Sequence, residues 1–411
     1  MHRIVPYMQY NNRRIAIAAA LAAIAGPGCV GNEPCVPDAA ETAVPGSAIA
    51  QYGPPEPGHA PPEPAAGPLA ILGVAPSRPA LTTDDRQHLL FELVVQNTSA
   101  TSVELARIDV RDPERRAPLA AYTGAALAEI LTIATGAGAT PASLEPGGVA
   151  VAFFDLPFAR RAELPHRLVA RFALRQGDAE TVEAGPAVAV IDDHPRPIGP
   201  PLHLDRLVAV NGCCDGIHRR ALIPVDGGLF LAERFAIDFL RIDDQGTFAG
   251  DPTRNDSYFV FGADVLAVAA GTIAEATDGA AENIPTQPLP PADLTTAPGN
   301  HVVLALDDGR FALYAHLQTG SVRVHPGDRV RRGDVLGLVG NTGNSTEPHL
   351  HFHVMDRPSP LVSDGLPYTF DRFDLQARID ASSGAPVIAP VPPPERRRDL
   401  LPLGLDVIDL R

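Results

Sequence analysis

A chain of 411 residues is long enough for two or three domains with cores of their own, while a net charge of −16 and a pI near 5.2 argue against nucleic acid or an anionic membrane surface as partner. All 33 basic residues are arginine, which excludes lysine chemistry. The four cysteines, Cys29, Cys35, Cys213 and Cys214, provide neither a disulfide framework nor the spacing of a zinc ribbon, and their pairing stays open.

Residues 1–29 carry Arg13 and Arg14, an eleven-residue apolar run from Ile15 to Ala25, and small residues ending at Cys29. The run is too short to span a bilayer, which takes about 20 residues, but suits the core of a signal peptide. Cleavage after Ala25 gives a soluble exported protein; a lipoprotein signal gives a lipid anchor at Cys29. Residues 30–68 are rich in Pro, Ala, Gly and Glu, as in "PPEPGHAPPEPAAGP", and predict a disordered tether. Residues 69–191 show short alternating runs broken by turns. Examples are "LLFELVVQ" before Asn97-Thr98-Ser99, then "VELARIDV", "GGVAVAFFDL" and "HRLVARFAL". They predict an antiparallel β-sandwich, immunoglobulin-like in strand spacing, with one helical patch in "TGAALAEILTIA".

Residues 192–217 include the proline-rich "IDDHPRPIGPPL" and read as a linker. From 218 to 372 the pattern is again β. "GADVLAVAAGTIAEA" reads as two strands around Ala270-Gly271, and "NHVVLALDDGRFALYAHL" as two more around Asp308-Gly309. The insertion Asp278–Gly299 is long and proline-rich for a hairpin connection, which predicts a semi-rigid lip beside a cleft. Residues 373–411 read as a partly loose tail in which "LGLDVIDL" can return as a strand. The fold class predicted for the whole is all-β.

The stretch "NSTEPHLHFHV" places His349, His351 and His353 at every second position. On a strand such residues share one face, so they form a comb of imidazoles, the commonest zinc ligands. An exposed His-rich strand face is the plain alternative. Together with "RFAIDF", "GADVLAVAAGTI" and "YAHLQTGSVRVHPGDRVRRGDVLGLVGNTG", this stretch resembles successive blocks of the lysostaphin-type (LytM-like) zinc endopeptidases over about Arg234 to Asp356. The usual form of those blocks is His-x-Gly-x-Asp, then Tyr-x-His, then His-x-His.

The resemblance implies a β-sheet peptidase domain that cleaves peptides of the bacterial cell wall, an export route to the periplasm or envelope, and a zinc cofactor. Carried across, Asp238 and His351 are zinc ligands, with His316 and His349 beside the metal and its water. Arg234 stands where the family has its first ligand histidine, and Ala236 where it has glycine. A guanidinium has no lone pair to give, so only two ligands remain where catalytic zinc normally has three. His353 and His218 are the candidates to restore the count. If instead Arg234 pairs with Asp238, it replaces the metal's charge with its own and the site is dead. The alternative function is then a degenerate domain that binds peptidoglycan or activates a cell-wall amidase, and a third class is an adhesive envelope lipoprotein. The "VHPGDRVRRGDVLG" block also resembles lipoyl and biotinyl carrier hairpins, but these need a lysine. His301 is expected to be structural and His325 exposed.

Overall fold

The computed structural model describes residues 67–411 apart from 116, 194–195, 245, 290 and 382–386, so the expected signal segment, tether, lipid anchor at Cys29 and pairing of Cys35 lie outside the described residues. Within them the regular secondary structure is almost entirely β-strand, as predicted, with one seven-residue α-helix, Gly124–Ile130, in the patch where helix was expected. Among these residues no helix is long and apolar enough to cross a membrane.

The N-terminal strands form one hydrogen-bonded path of Leu69–Gly73, Arg86–Asn97, Ser143–Ala159, Val103–Arg111, Arg167–Gln176 and Val188–Ala189, with four further strands on its members. Ser143–Ala159 meets Val103–Arg111 only through Val103 opposite Leu144 and Glu104 opposite Ser143. The sheet therefore turns at a narrow junction, and the two parts are not separately bonded sheets. A core of Phe91, Leu93, Ile108, Phe154 and Phe172 fills the space it encloses.

Arg86–Asn97 departs from simple alternation. Gln87 to Val95 are all buried, on both faces. One face supplies the N-terminal core; the other packs on the second half of the chain, since Leu90 joins the C-terminal core and Val94 clusters with Val151, Phe153, Leu222 and Leu231. Such a two-sided strand reads as a continuous apolar run, the pattern of "LLFELVVQ".

The second sheet has ten antiparallel strands in the order Arg329–Val330, Gly271–Thr277, Asn300–Leu306, Phe311–Leu317, Leu350–Met355, Ile237–Arg241, Leu204–Val210, Asp406–Leu410, Phe373–Asp380 and Val387–Arg397. Asn300–Leu306 and Phe311–Leu317 form the hairpin expected around Asp308-Gly309. Three other expectations are corrected. Asp264–Leu266 does not pair with Gly271–Thr277 but with Val335–Leu338, because the residues between turn the chain away from a hairpin. The expected linker contributes the strand Leu204–Val210. The expected loose tail supplies three strands; of these, Asp406–Leu410 is the strand expected in "LGLDVIDL", and it is buried at every position between two neighbours. Phe373, Leu375, Ala377 and Ile379 alternate inward, an apolar face that would be costly to leave in water. Cys213 and Cys214 are joined to each other by a disulfide.

Candidate metal centre

Register places the first side chains. The strand Leu350–Met355 lies between Ile237–Arg241 and Phe311–Leu317, with Asp238 directly opposite His351 on one side and Ala315 opposite it on the other. Directly paired residues present their side chains to the same face, so Asp238 and His351 project together. Alternation would send His316, next to Ala315, to the far face. Its backbone instead has φ +62°, a left-handed conformation that histidine adopts at a cost and that swings the ring back toward its partners. The His316 ring centroid is 4.8 Å from that of His349 and 5.7 Å from that of His351.

Local hydrogen bonds set the direction of each ring. His316 Nδ1 is 2.8 Å from the Thr342 carbonyl oxygen, and His349 Nδ1 is 2.8 Å from that of Glu347. In both rings Nδ1–H donates to the backbone, so Nε2 is the nitrogen left for the cleft. The Thr342 carbonyl is fixed by close backbone crossing: a Cβ on Gly299, itself at φ +62°, would sit 2.5 Å from the Thr342 carbonyl carbon. Gly299 ends the predicted lip, and Leu289, Ala297 and Pro298 of that insertion line the pocket with Asp238 and the histidines.

The fourth imidazole comes from outside the sheet. His218 opens a short 3₁₀ turn, His218–Arg220, after the Leu204–Val210 strand, and its Nδ1 lies 3.3 Å from the carbonyl oxygen of Ala236. Its Nε2 lies 3.3 Å from Asp238 Oδ2, while His351 Nδ1 lies 3.0 Å from Asp238 Oδ1. Ligand atoms of His218, Asp238 and His351 all fall within 4.8 Å of one another, and all three residues are buried. Two imidazoles and a carboxylate with further side chains at the open side match the donor set of a catalytic zinc site. Asn211 donates from Nδ2 to Asp238 Oδ2 at 2.8 Å and steadies the carboxylate.

Burial works against charge on all these groups, yet Asp238 is held well below the usual carboxylate range by His218 and His349. Conversely burial lowers His218, but the Asp238 carboxylate more than compensates and lifts it to about 9. His349 is likewise raised against burial by Asp238. His316 goes the other way, pushed well down by burial and by the charge of His349 and His351. One pocket thus holds imidazoles shifted in opposite directions, an environment typical of functional sites.

Two proposed partners are corrected. Arg234 does not pair with Asp238: its Nη2 is 2.5 Å from Glu92 Oε2, on the N-terminal sheet. His353 is fully buried but stands outside the three-ligand group, with Nδ1 3.0 Å from His351 Nε2. When His351 Nδ1 faces an ion, its Nε2–H donates to His353, the outer contact that fixes a ligand's tautomer. His301 bonds the Gly299 carbonyl and Glu275, and His325 is largely exposed beside Asp328. Asn211, Thr342, Glu347 and Glu92 carry no spacing signal that would single them out.

Glu347 gives a test of this electrostatic setting. Burial raises its pKa to about 7, with Thr247 Oγ1 donating to it at 3.2 Å. Its folded value lies above the ordinary one of 4.5, so its contribution to stability is full below pH 4.5 and is lost as pH rises through 7. In metal-free protein, Glu347→Gln is expected to raise stability by ~1–3 kcal/mol at pH 8.5 and to leave it unchanged at pH 4. Urea melts at the two pH values check this, and equal effects at both would refute it.

The described chain is an all-β protein in which buried histidines and an aspartate converge on one pocket with the donor set for a metal ion. Residues 258–362 match the model of peptidase family M23, and the C-terminal half of the chain carries a domain of that family, of the lysostaphin/LytM type. The match takes in His316, His349 and His351 but begins after Asp238. The chain is 32% identical over 133 residues to endolysin 2638A of Staphylococcus phage 2638A, covering 30% of this chain and 24% of that protein. It is 47% identical over 73 residues to glycyl-glycine endopeptidase ALE-1 of Staphylococcus capitis, covering 17% of this chain and 20% of that one. It thus spans about a quarter or less of these relatives. Among solved structures, the catalytic domain of lysostaphin from Staphylococcus simulans aligns at 25% identity with a TM-score of 0.21, over 34% of this chain and 80% of that one.

Proposed function

We propose that this protein is an exported zinc metalloendopeptidase acting on peptide bonds of peptidoglycan. The observation that carries the reading is the convergence of His218, Asp238 and His351 within 4.8 Å, beside His316 and His349. The curated relatives include a peptidoglycan DD-endopeptidase, ShyA of Vibrio cholerae, at 40% identity over 63 residues, and this supports the choice of substrate class. The export reading rests on the apolar run Ile15–Ala25, with Cys29 as the residue for a lipid anchor.

In this reading His218 through Nε2, Asp238 and His351 through Nδ1 hold the ion. Bound zinc supplies a Lewis acid that activates water and polarises the scissile carbonyl. His316, kept neutral by burial and by neighbouring positive charge, presents the Nε2 lone pair that takes the proton of the attacking water. His349, whose pKa is raised against burial by Asp238, would donate from Nε2 to the oxyanion as the carbonyl carbon becomes tetrahedral. The lip residues Leu289, Ala297 and Pro298 and the wall residue Leu361 bound the space in which a peptide lies.

The decisive experiment incubates zinc-loaded full chain with purified peptidoglycan sacculi and identifies released fragments by mass spectrometry. His316→Ala and His349→Ala are expected to keep their zinc and to lose kcat by ~100-fold or more. A zinc-loaded wild type that releases nothing but sediments with sacculi, or stimulates a cell-wall amidase, would replace this reading with the non-catalytic one. Recovery of the unprocessed chain in the cytosol would remove the envelope substrate.

A further inference from the structure

The substitute ligand His218 is followed by residues whose side chains are fastened to the other half of the molecule. Arg219 donates from Nη2 to the Phe154 carbonyl oxygen and from Nη1 to that of Cys214, at 3.0 Å for the latter. Arg220 donates to Thr132 Oγ1 at 3.2 Å and to the Glu129 carbonyl oxygen at 3.0 Å, and its guanidinium lies 5.2 Å from the Phe153 ring centroid. Phe154, Thr132, Glu129 and Phe153 all belong to the N-terminal sheet or its helix. At the far end of the same segment Arg234 pairs with Glu92, and Glu92 Oε1 also stands 3.7 Å from Arg219 Nε. Glu92 is 0% exposed, Arg219 3% and Arg234 4%, so the cluster of two guanidiniums on one carboxylate is closed to water.

We infer that the N-terminal sheet is a working part of the metal centre, with Glu92 and Arg219 as positioning residues that hold His218 at Asp238. The inference rests on the reading of His218 as a ligand and extends it. A ligand four residues before Asp238, on the incoming chain, would be placed by the sheet itself; one borne on a 3₁₀ turn between two loops is not. His218 meets the C-terminal sheet at the Ala236 carbonyl, the Asp238 carboxylate and the edge of the His351 ring, 4.8 Å between centroids, while the backbone that carries it belongs to no strand of that sheet, so its turn needs a second attachment. The guanidinium at position 234, unable to ligate, serves that attachment. Because a carboxylate buried between two arginines is costly to leave unpaired, the arrangement keeps one geometry. The C-terminal domain of this chain is then metal-competent only while docked on the N-terminal sheet.

The test measures zinc affinity by chelator competition, and the absorption spectrum of the Co²⁺ form, on full chains carrying Arg219→Ala, Glu92→Gln, His218→Ala, and Arg219→Ala with His218→Ala. Arg219→Ala and Glu92→Gln are expected to weaken zinc binding by ~10- to 100-fold and to shift the Co²⁺ bands, as loss of an orienting partner does. In the His218→Ala background, Arg219→Ala is expected to cause no further loss, since its effect passes through that ligand. Glu92→Gln keeps the side-chain shape and decides the matter if Arg219→Ala does not fold. Wild-type affinity and spectrum in a folded Arg219→Ala or Glu92→Gln protein would overturn the inference and leave the ligand reading intact. Wild-type affinity in His218→Ala would instead overturn the ligand reading.

Discussion

Replacing His218 with alanine is expected to strip the metal from a protein that otherwise purifies with about one zinc per chain. The remaining donors, Asp238 and His351, face each other at 3.0 Å and leave two protein ligands where a catalytic zinc normally has three. His351→Ala should behave alike, removing the imidazole directly opposite Asp238 in the strand register. His353→Ala should not. That ring bonds the outer nitrogen of His351, so its loss should loosen zinc by ~10- to 100-fold while stoichiometry at saturating metal is kept. Metal analysis after dialysis, followed by chelator titration, separates these outcomes. Stoichiometric tight zinc in His218→Ala would mean that the third ligand lies elsewhere.

The second large effect concerns Arg234→His, which in the family pattern would restore a ligand. Here it is expected to destabilise the fold by ~3–5 kcal/mol, because it removes the nearer of the two guanidiniums that neutralise a carboxylate with no access to water. Combining it with Glu92→Gln should recover part of that loss, since the under-neutralised carboxylate is gone, but not all of it, because the buried Arg219 guanidinium then lacks its carboxylate. Zinc content should not exceed that of the wild type. Thermal and urea melts of the single and double variants measure this, and an unchanged melting curve for Arg234→His would show that the pair contributes little.

The parts of the site legible in the sequence are those whose spacing is enforced by a strand. His349 and His351 follow the two-residue period, whereas His316 and Asp238, on the strands Phe311–Leu317 and Ile237–Arg241, are singled out through the resemblance to the lysostaphin-type blocks. His218 could be nominated but not chosen over His353, because it reaches Asp238 from a 3₁₀ turn whose position depends on tertiary contacts. Glu92 was beyond reach. It lies 142 residues from Arg234 in sequence, in a strand where one carboxylate among apolar residues gives no hint of its partner. The same limit explains the misread Asp264–Leu266: local alternation predicts a strand but not the distant strand with which it pairs.

The strand Asp406–Leu410 lies between Leu204–Val210 and Phe373–Asp380, and Leu204–Val210 in turn flanks the strand of Asp238. Its location has a temporal consequence. During synthesis, the sheet bearing the site stays split until residues near 410 emerge, so the loop with His218 hangs from a strand that has one bare edge. Pairings of such large sequence separation form slowly, so the sheet that carries Asp238 and His351 should be completed late in folding.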